Sequence, residues 1–286
     1  MSSETRLSSD LGGTKHDFAP TYDRVWPHAY FKAHLALDYV IPQNAKMVFN
    51  EVIVNCMRQR QKDNLKIIDV GCSYGINAAL LKCDLTLDEL YAAASPGGAL
   101  HQRNMDAHRV FFDKSIRRSD LAIVGVDPAR RATDYAKTIG LLDAAVTSNL
   151  ERHDPSERDV ELLSGADLII STGCVGYVTE RTFDRLYRVV AQSRPSVACF
   201  VMHPFPYGRI AETLETYGLQ TREIETWQQR QRRFSTPGER RSIVSSMEQS
   251  DMDSRLERTT GYVYASFYLS LPVDMAPGRE QVGTNS

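Results

Sequence analysis

The run KIIDVGCSYGINAALL, residues 66–81, constrains the fold more than any other part of this chain. An apolar segment containing Asp69 is followed by Gly71 and Gly75 and then directly by helix-forming residues. The glycines allow a sharp turn and a close backbone approach, and a helix start leaves N–H groups without partners. The run therefore predicts a strand, a tight turn and a helix, which together form the building unit of an α/β sheet.

Further apolar segments alternate with helical patterns along the chain and predict six more strands. They span residues 121–126, 144–147, 166–171, 196–202, 219–226 and 261–271. Strands separated by helices favour a parallel sheet covered on both faces, and the last segment follows no long apolar helix. The predicted fold class is α/β, with a doubly wound, mostly parallel seven-stranded sheet and an antiparallel edge strand. An N-terminal helical preface and insertions complete it.

The same patterns divide the chain into segments. Residues 1–20 and 275–286 have the composition of disordered tails. Residues 21–64 form the helical preface, which could act as a lid, and residues 65–274 form the α/β domain. Two segments, 82–119 and 228–258, interrupt the strand–helix alternation and are predicted insertions.

Composition excludes several classes of function. The 286 residues carry a net charge of −2, which gives no general attraction to nucleic acid or to an anionic membrane. No apolar run approaches the ~18 residues of a membrane-spanning helix, and the first residues lack the apolar core of a signal peptide. The five scattered cysteines read as reduced thiols, which predicts a cytoplasmic protein, and no metal-binding spacing is present. The sequence leaves open whether the chain forms a homo-oligomer.

Ligands of open α/β sheets bind where the strands end, so residues at those ends are candidates for a binding site. The spacing D-x-G-x-x-x-G differs from the dinucleotide fingerprint G-x-G-x-x-G, which disfavours a nicotinamide oxidoreductase. The spacing resembles motif I of the class I S-adenosylmethionine-dependent methyltransferases. The acidic residue after the second strand adds to this resemblance. Ser73 stands where that family has its middle glycine. Asp127 lies 52 positions after Gly75, and the insertion 82–119 must leave the sheet and return to explain this gap.

The resemblance implies S-adenosylmethionine as the cofactor and assigns a role to each strand end. The turn 71–75 would lie under the methionine and ribose portions of the cofactor, and Asp127 would bind the ribose hydroxyls. The adenine would contact Pro128, Asn149 and Leu150. Residues 171–173 would line the methionine end. The implied cofactor-binding residues are Asp69, Gly71, Cys72, Ser73, Tyr74, Gly75, Asp127, Pro128, Asn149, Leu150, Ser171, Thr172 and Gly173. Asp127 could instead cap a helix, and Asn149 could simply serve a turn.

His203 is the predicted catalytic residue, because it follows the fifth strand and an imidazole can remove a proton from an acceptor. A neutral histidine bonded within its loop is the alternative. Four aromatic residues are predicted to form walls of the acceptor pocket: Tyr30, Tyr177, Phe205 and Tyr207.

The function that the resemblance implies is in-line transfer of a methyl group, and the architecture of the chain favours a small-molecule acceptor. The preface and the two insertions could roof a closed pocket, and the N-P-P-[YF] signature of base methylation is absent after the fourth strand. One alternative is a protein or RNA methyltransferase that grips its substrate with Arg230, Arg232, Arg233, Arg240 and Arg241, although the run QQRQRR is also typical of a solvated face. Another is a non-catalytic S-adenosylmethionine-binding module.

Overall fold

A computed structural model describes residues 22–275 of the chain. The helices are α1 His28–Ala36, α2 Ile41–Arg60, α3 Ile76–Lys82, α4 Leu87–Ala94, α5 Met105–Asp113, α6 Arg130–Thr138, α7 Glu157–Leu163, α8 Glu180–Val190, α9 Gly208–Thr216, α10 Pro237–Gln249 and α11 Arg255–Thr260. The strands are β1 Leu65–Val70, β2 Leu121–Val126, β3 Ala144–Val146, β4 Leu168–Thr172, β5 Ser196–Met202, β6 Leu219–Glu223, β7 Gln229–Arg233 and β8 Tyr262–Pro272. Single 3₁₀ turns cover Glu225–Trp227 and Val273–Met275.

The strands form one sheet in the order β3-β2-β1-β4-β5-β8-β6, with β7 also paired to β8. Strands β1 to β5 pair in parallel, and β8 is antiparallel to each of its three neighbours. The predicted fold class, an α/β fold with a mostly parallel sheet and antiparallel pairing towards one edge, is confirmed.

Two details of the sheet differ from the sequence prediction. The antiparallel strand β8 does not form the edge but lies between β5 and β6. The sheet also has an eighth strand, β7, inside the segment 228–258. Strand β6 pairs with the final part of β8 and β7 with its first part, so the two short strands share one side of it. The polar run of β7 carries no apolar alternation, which is why the sequence did not reveal it.

The insertion 82–119 leaves the sheet and returns at nearly the same place. An isolated antiparallel bridge joins Cys83 to Ile116, and the amide of Arg117 donates to the carbonyl of Lys82 at 2.8 Å. Helices α4 and α5 lie between these points. Strand β2 can therefore pair with β1 in register from Leu65↔Leu121 to Val70↔Val126, which aligns the ends of the two strands.

Apolar side chains are buried on both faces of the sheet, as expected for parallel strands covered by helices. One core includes the preface, with Phe31, Ile41 and Phe49, and the other includes α8 and α9. The segment 228–258 is anchored by a buried ion pair between Arg232 and Glu239, whose closest N–O distance is 2.7 Å.

Residues 1–21 and 276–286, which contain almost all of the two predicted tails, lie outside the described part of the chain. Within residues 22–275, no helix is long and apolar enough to cross a membrane.

Candidate functional site

A cavity of about 600 Å³ opens at the carboxyl ends of β1, β2 and β4. Strand order reverses between β1 and β4, and this switch point is where open α/β sheets place their ligands. The wall is formed by Tyr22, Tyr30, Tyr39, Pro42, Val70, Gly71, Cys72, Ile76, Asn77, Val126, Asp127, Pro128, Ser148, Asn149, Leu150, Glu151, Arg152, Thr172, Gly173, Cys174, Tyr177, Val178, Arg181 and Thr182.

The turn after β1 has the left-handed backbone that its glycines suggested. Gly71 and Gly75 have φ angles of +76° and +77°, and Ser73 adopts +48°. A Cβ on Gly71 would lie 2.4 Å from the Cβ of Cys174, so the turn packs directly against the loop after β4. Ser73 fits this turn at the cost of a conformation that non-glycine residues rarely adopt.

Asp127 joins the ends of β1 and β2. Its Oδ2 accepts a hydrogen bond from the Ser73 amide and its Oδ1 one from the Ala129 amide, both at 2.9 Å. The side chain is buried and lines the cavity, and burial raises the pKa of this carboxyl above its ordinary value. The insertion therefore brings Asp127 to the turn, although 52 residues separate it from Gly75.

A second buried carboxyl lies behind the wall of the cavity. Asn77 donates from Nδ2 to Asp69 Oδ1 at 2.9 Å and also contacts Thr172 Oγ1 at 3.1 Å. Asp69 is 0% exposed, and its Oδ2 has no hydrogen-bond partner among the described residues. The pKa of Asp69 is raised to about 7, chiefly by burial; the bond from Asn77 opposes this rise and the nearby charge of Asp127 adds to it. Asn77 was not predicted, because one asparagine in an apolar helix start gives no pattern.

The segment after β3 forms one side of the cavity. Asn149 and Leu150 line it, but Asn149 Oδ1 already accepts the Glu151 amide at 3.1 Å, which is the turn role that the sequence left open. Glu151 also reaches across to the start of α8, where it accepts hydrogen bonds from the Thr179 amide and the Thr182 hydroxyl.

Five of the predicted cofactor-binding residues do not form part of the cavity wall. Ser171 Oγ donates to the Val70 carbonyl at 3.1 Å and lies behind Cys174. The Tyr74 hydroxyl points to the preface, where it bonds to the backbone carbonyl and amide of Arg24 at 2.9 and 3.0 Å. The five residues are Asp69, Ser73, Tyr74, Gly75 and Ser171.

Tyrosines of the preface cover the cavity, and only one of them was predicted. Tyr22 and Tyr30 make an edge-to-face contact with centroids 5.5 Å apart. His34 stacks on Tyr30 at 3.9 Å and contacts Tyr39 edge-on at 4.7 Å. Burial raises the pKa values of Tyr22, Tyr30 and Tyr39, so their hydroxyls stay protonated at neutral pH. These side chains can donate hydrogen bonds but cannot serve as bases there.

His203 lies outside the wall of the cavity. It is 3% exposed, with Nδ1 2.8 Å from Glu257 Oε1 and Nε2 3.0 Å from Ser266 Oγ. The sequence placed it after β5 but did not show that β8 pairs with β5 there, where the His203 amide donates to the Tyr264 carbonyl. Both partners lie outside the loop that carries His203, so the hydrogen bonds within the loop that the alternative expected are not the ones observed, and the catalytic role stays a prediction.

Two other predicted pocket residues also lie outside the wall. The Phe205 ring covers Gly176, where an added Cβ would come within 2.6 Å of it. Tyr207 is buried and stacks on Tyr268 with centroids 4.5 Å apart. Tyr30 and Tyr177 do line the cavity.

Four of the five predicted arginines of segment 228–258 are exposed, and several of the five contact other groups of the protein. Arg232 is buried against Glu239, and Arg230 lies 4.4 Å from the ring centroid of Tyr262. The Arg240 guanidinium donates to the carbonyl of Arg258. This arrangement gives no support to a nucleic-acid groove at these residues. Within residues 22–275, no group of three or more His, Cys, Asp or Glu side chains is placed to hold a metal ion.

Comparison with known proteins gives a likeness of structure only. No protein-family model and no curated protein sequence matches the chain. A magnesium protoporphyrin IX methyltransferase from Synechocystis PCC 6803, solved with S-adenosylmethionine, is 11% identical, with 80% of each chain covered and a TM-score of 0.40. A TehB-like S-adenosylmethionine-dependent methyltransferase from Corynebacterium glutamicum is 14% identical, with 79% of this chain and 96% of that chain covered and a TM-score of 0.38. EvdMO1 is 12% identical, with 81% of this chain and 41% of the EvdMO1 chain covered and a TM-score of 0.39. This chain therefore spans less than half the length of EvdMO1.

Proposed function

We propose that this protein binds S-adenosylmethionine in the cavity and transfers its methyl group to a small-molecule acceptor. The contact between Asp127 and the Ser73 amide carries the proposal, because it brings the acid after β2 to the glycine turn after β1. The two features that support the resemblance in the sequence therefore meet at one wall of a single cavity at the switch point of the sheet.

The chemical character of the wall fits a nucleoside that carries a positive charge. Asp127 retains acceptor capacity suited to a pair of ribose hydroxyls. The charge of Asp127 makes the local potential more negative, as its effect on Asp69 shows, and a nearby cation would offset it. Tyr22, Tyr30 and Tyr39 line the same space, and tyrosine rings attract nearby cations. The residues proposed to hold the cofactor are Gly71, Cys72, Asp127, Pro128, Asn149, Leu150, Thr172 and Gly173.

The protein's contribution to the reaction is mainly one of alignment. Bound S-adenosylmethionine would supply an electrophilic methyl group on its sulfonium. Holding an acceptor in line with such a group can contribute about 7–11 kcal/mol, whereas a general base adds about 10²–10⁴-fold. With His203 outside the wall and the preface tyrosines protonated, we assign no base. The tyrosine hydroxyls orient the acceptor and the preface excludes water.

Calorimetry with S-adenosylhomocysteine tests the binding part of the proposal. Wild-type protein should bind it, and Asp127→Asn should bind about 10–100-fold more weakly, because a charge-assisted hydrogen bond contributes about 1.5–3 kcal/mol. Asp134→Asn, the same change on the exposed face of α6, should leave the affinity unaltered. Failure of the wild type to bind would falsify the proposal.

Turnover is tested by incubating the protein with isotopically labelled donor and an extract of its source cell. Label in a product heavier by one methylene group that passes an ultrafilter supports a small acceptor. Label retained with macromolecules would support the protein or RNA alternative, and donor binding without any transfer would support a non-catalytic module.

A further inference from the structure

Two positively charged side chains on the cavity wall have no counterion among residues 22–275. Arg152 and Arg181 both line the cavity and are exposed. Among residues 22–275, neither guanidinium has a hydrogen bond or an ion pair to another residue. The cavity wall thus includes two exposed cations that have no partner in the described part of the chain.

The fold brings these two arginines to the same side of the cavity. Glu151 accepts from the Thr179 amide at 2.6 Å, from the Thr179 hydroxyl at 2.9 Å and from the Thr182 hydroxyl at 2.7 Å. Arg152 follows Glu151 directly, and Arg181 lies between its two partner threonines. The Glu151 carboxylate therefore ties together the two segments that carry the arginines.

Within residues 22–275, none of the nearby acids forms an ion pair with either arginine, and each has other hydrogen-bond or ion-pair partners. Glu151 is occupied by the three donors from the start of α8. Asp154 pairs with Arg185 and Arg188, and Asp159 accepts from Ser148 and Ser156. Glu180 lies 3.6 Å from Arg209. Two positive charges therefore remain available to a ligand.

We propose, on the basis of the function proposed above, that the methyl acceptor is an acidic small molecule whose carboxylate or phosphate is bound by Arg152 and Arg181. Guanidinium groups suit this task because their planar donors match the oxygens of both anions. The deeper wall has the opposite character, with the carboxylate of Asp127 and protonated tyrosine hydroxyls. An acceptor with an acid at one end is thereby oriented with that end outward. Tyr177, which is 54% exposed, lines the same cavity.

The test compares benzoate with benzamide, which have nearly the same shape and differ in charge. Each is titrated by NMR into protein saturated with S-adenosylhomocysteine. Wild-type protein should bind benzoate at least about tenfold more tightly than benzamide. The double variant Arg152→Gln/Arg181→Gln should lose this preference and keep its affinity for S-adenosylhomocysteine. Arg158→Gln, which removes a surface charge outside the cavity wall, should behave as the wild type. Phenyl phosphate in a parallel titration distinguishes phosphate from carboxylate selectivity.

Three results would overturn the inference. One is equal binding, or no binding, of benzoate and benzamide by the wild type. Another is an unchanged preference in the double variant. The third is a tenfold or greater loss of S-adenosylhomocysteine affinity in the double variant with its melting temperature unchanged, which would mean that the arginines hold the cofactor. Absence of S-adenosylhomocysteine binding to the wild type would instead overturn the proposed function, and this inference with it.

Discussion

At the scale of a single residue, two features of the structure require glycine at position 71. Its backbone is left-handed, and its α-carbon lies so close to Cys174 that no side chain fits between them. The first constraint is local and could be predicted from the turn pattern. The second depends on a residue more than a hundred positions further along the chain, and only the folded structure reveals it.

We predict that Gly71→Ala destabilises the protein by about 2–5 kcal/mol, since left-handed backbone costs about 1–2 kcal/mol and overpacking about 1–3 kcal/mol. Gly165→Ala is the matched control, because Gly165 has φ +74° but open space around it, so only the backbone cost of about 1–2 kcal/mol is expected. Denaturant unfolding measures both. Equal losses in the two variants would show that the contact with Cys174 is unimportant.

Asp69 should make the stability of the protein depend on pH in a defined direction. The pKa of its folded-state carboxyl is about 7, above the unfolded value of about 3.9. Between these values the folded state holds a proton that the unfolded state has released, so the contribution of Asp69 to stability falls as pH rises from about 4 to about 7. We expect Asp69→Asn, which cannot ionise, to gain stability relative to the wild type across this range.

Unfolding of the two proteins at matched pH values between 4 and 8 gives this difference. Asn at position 69 still accepts the bond from Asn77 through its amide oxygen, which limits other effects. A difference that stays constant with pH would mean that Asp69 is ionised throughout.

At the scale of elements, the turn after β1 helps to hold the preface in position. The Tyr74 hydroxyl bonds to both backbone groups of Arg24, and the Tyr74 ring lies 5.2 Å from that of Tyr30. A residue of the turn after β1 thereby holds the segment that covers the cavity. The sequence predicted both elements but assigned Tyr74 to the cofactor.

Tyr74→Phe should therefore loosen the preface without unfolding the sheet. We expect a loss of about 1–2 kcal/mol, faster hydrogen–deuterium exchange over residues 22–36 and weaker binding of S-adenosylhomocysteine. The control is Tyr187→Phe, which removes a buried hydroxyl bonded to the Pro195 carbonyl away from the cavity. If exchange over residues 22–36 is the same in both variants, Tyr74 does not anchor the preface.

At the scale of the whole molecule, the cavity joins parts of the chain that fold around different faces of the sheet. Its wall includes Tyr22 and Pro42 of the preface, Asp127 after β2 and Arg181 on α8. A ligand in this cavity should therefore stabilise the domain as a unit rather than one loop.

S-adenosylhomocysteine at about 100 times its Kd should stabilise the protein by about 2.7 kcal/mol. For a domain of this size, that corresponds to a rise in Tm of roughly 5–10 °C in a single transition. Differential scanning calorimetry measures the rise, and NAD⁺ at the same concentration should produce none. A rise with NAD⁺ alone would identify a dinucleotide site and contradict the proposed cofactor.

The sequence by itself determined the parts of this protein that are encoded locally. The sequence predicted the alternation of apolar strands with helices, the glycine turn after β1 and the acid that follows β2. These features could be predicted because periodicity and backbone freedom depend on neighbouring residues. The tertiary structure alone decided which of these residues meet. It brought Asp127 to Ser73, Asn77 to Thr172 and β8 over His203, since these contacts join residues distant along the chain. Such contacts are set by the packing of the whole sheet, and no local pattern records them.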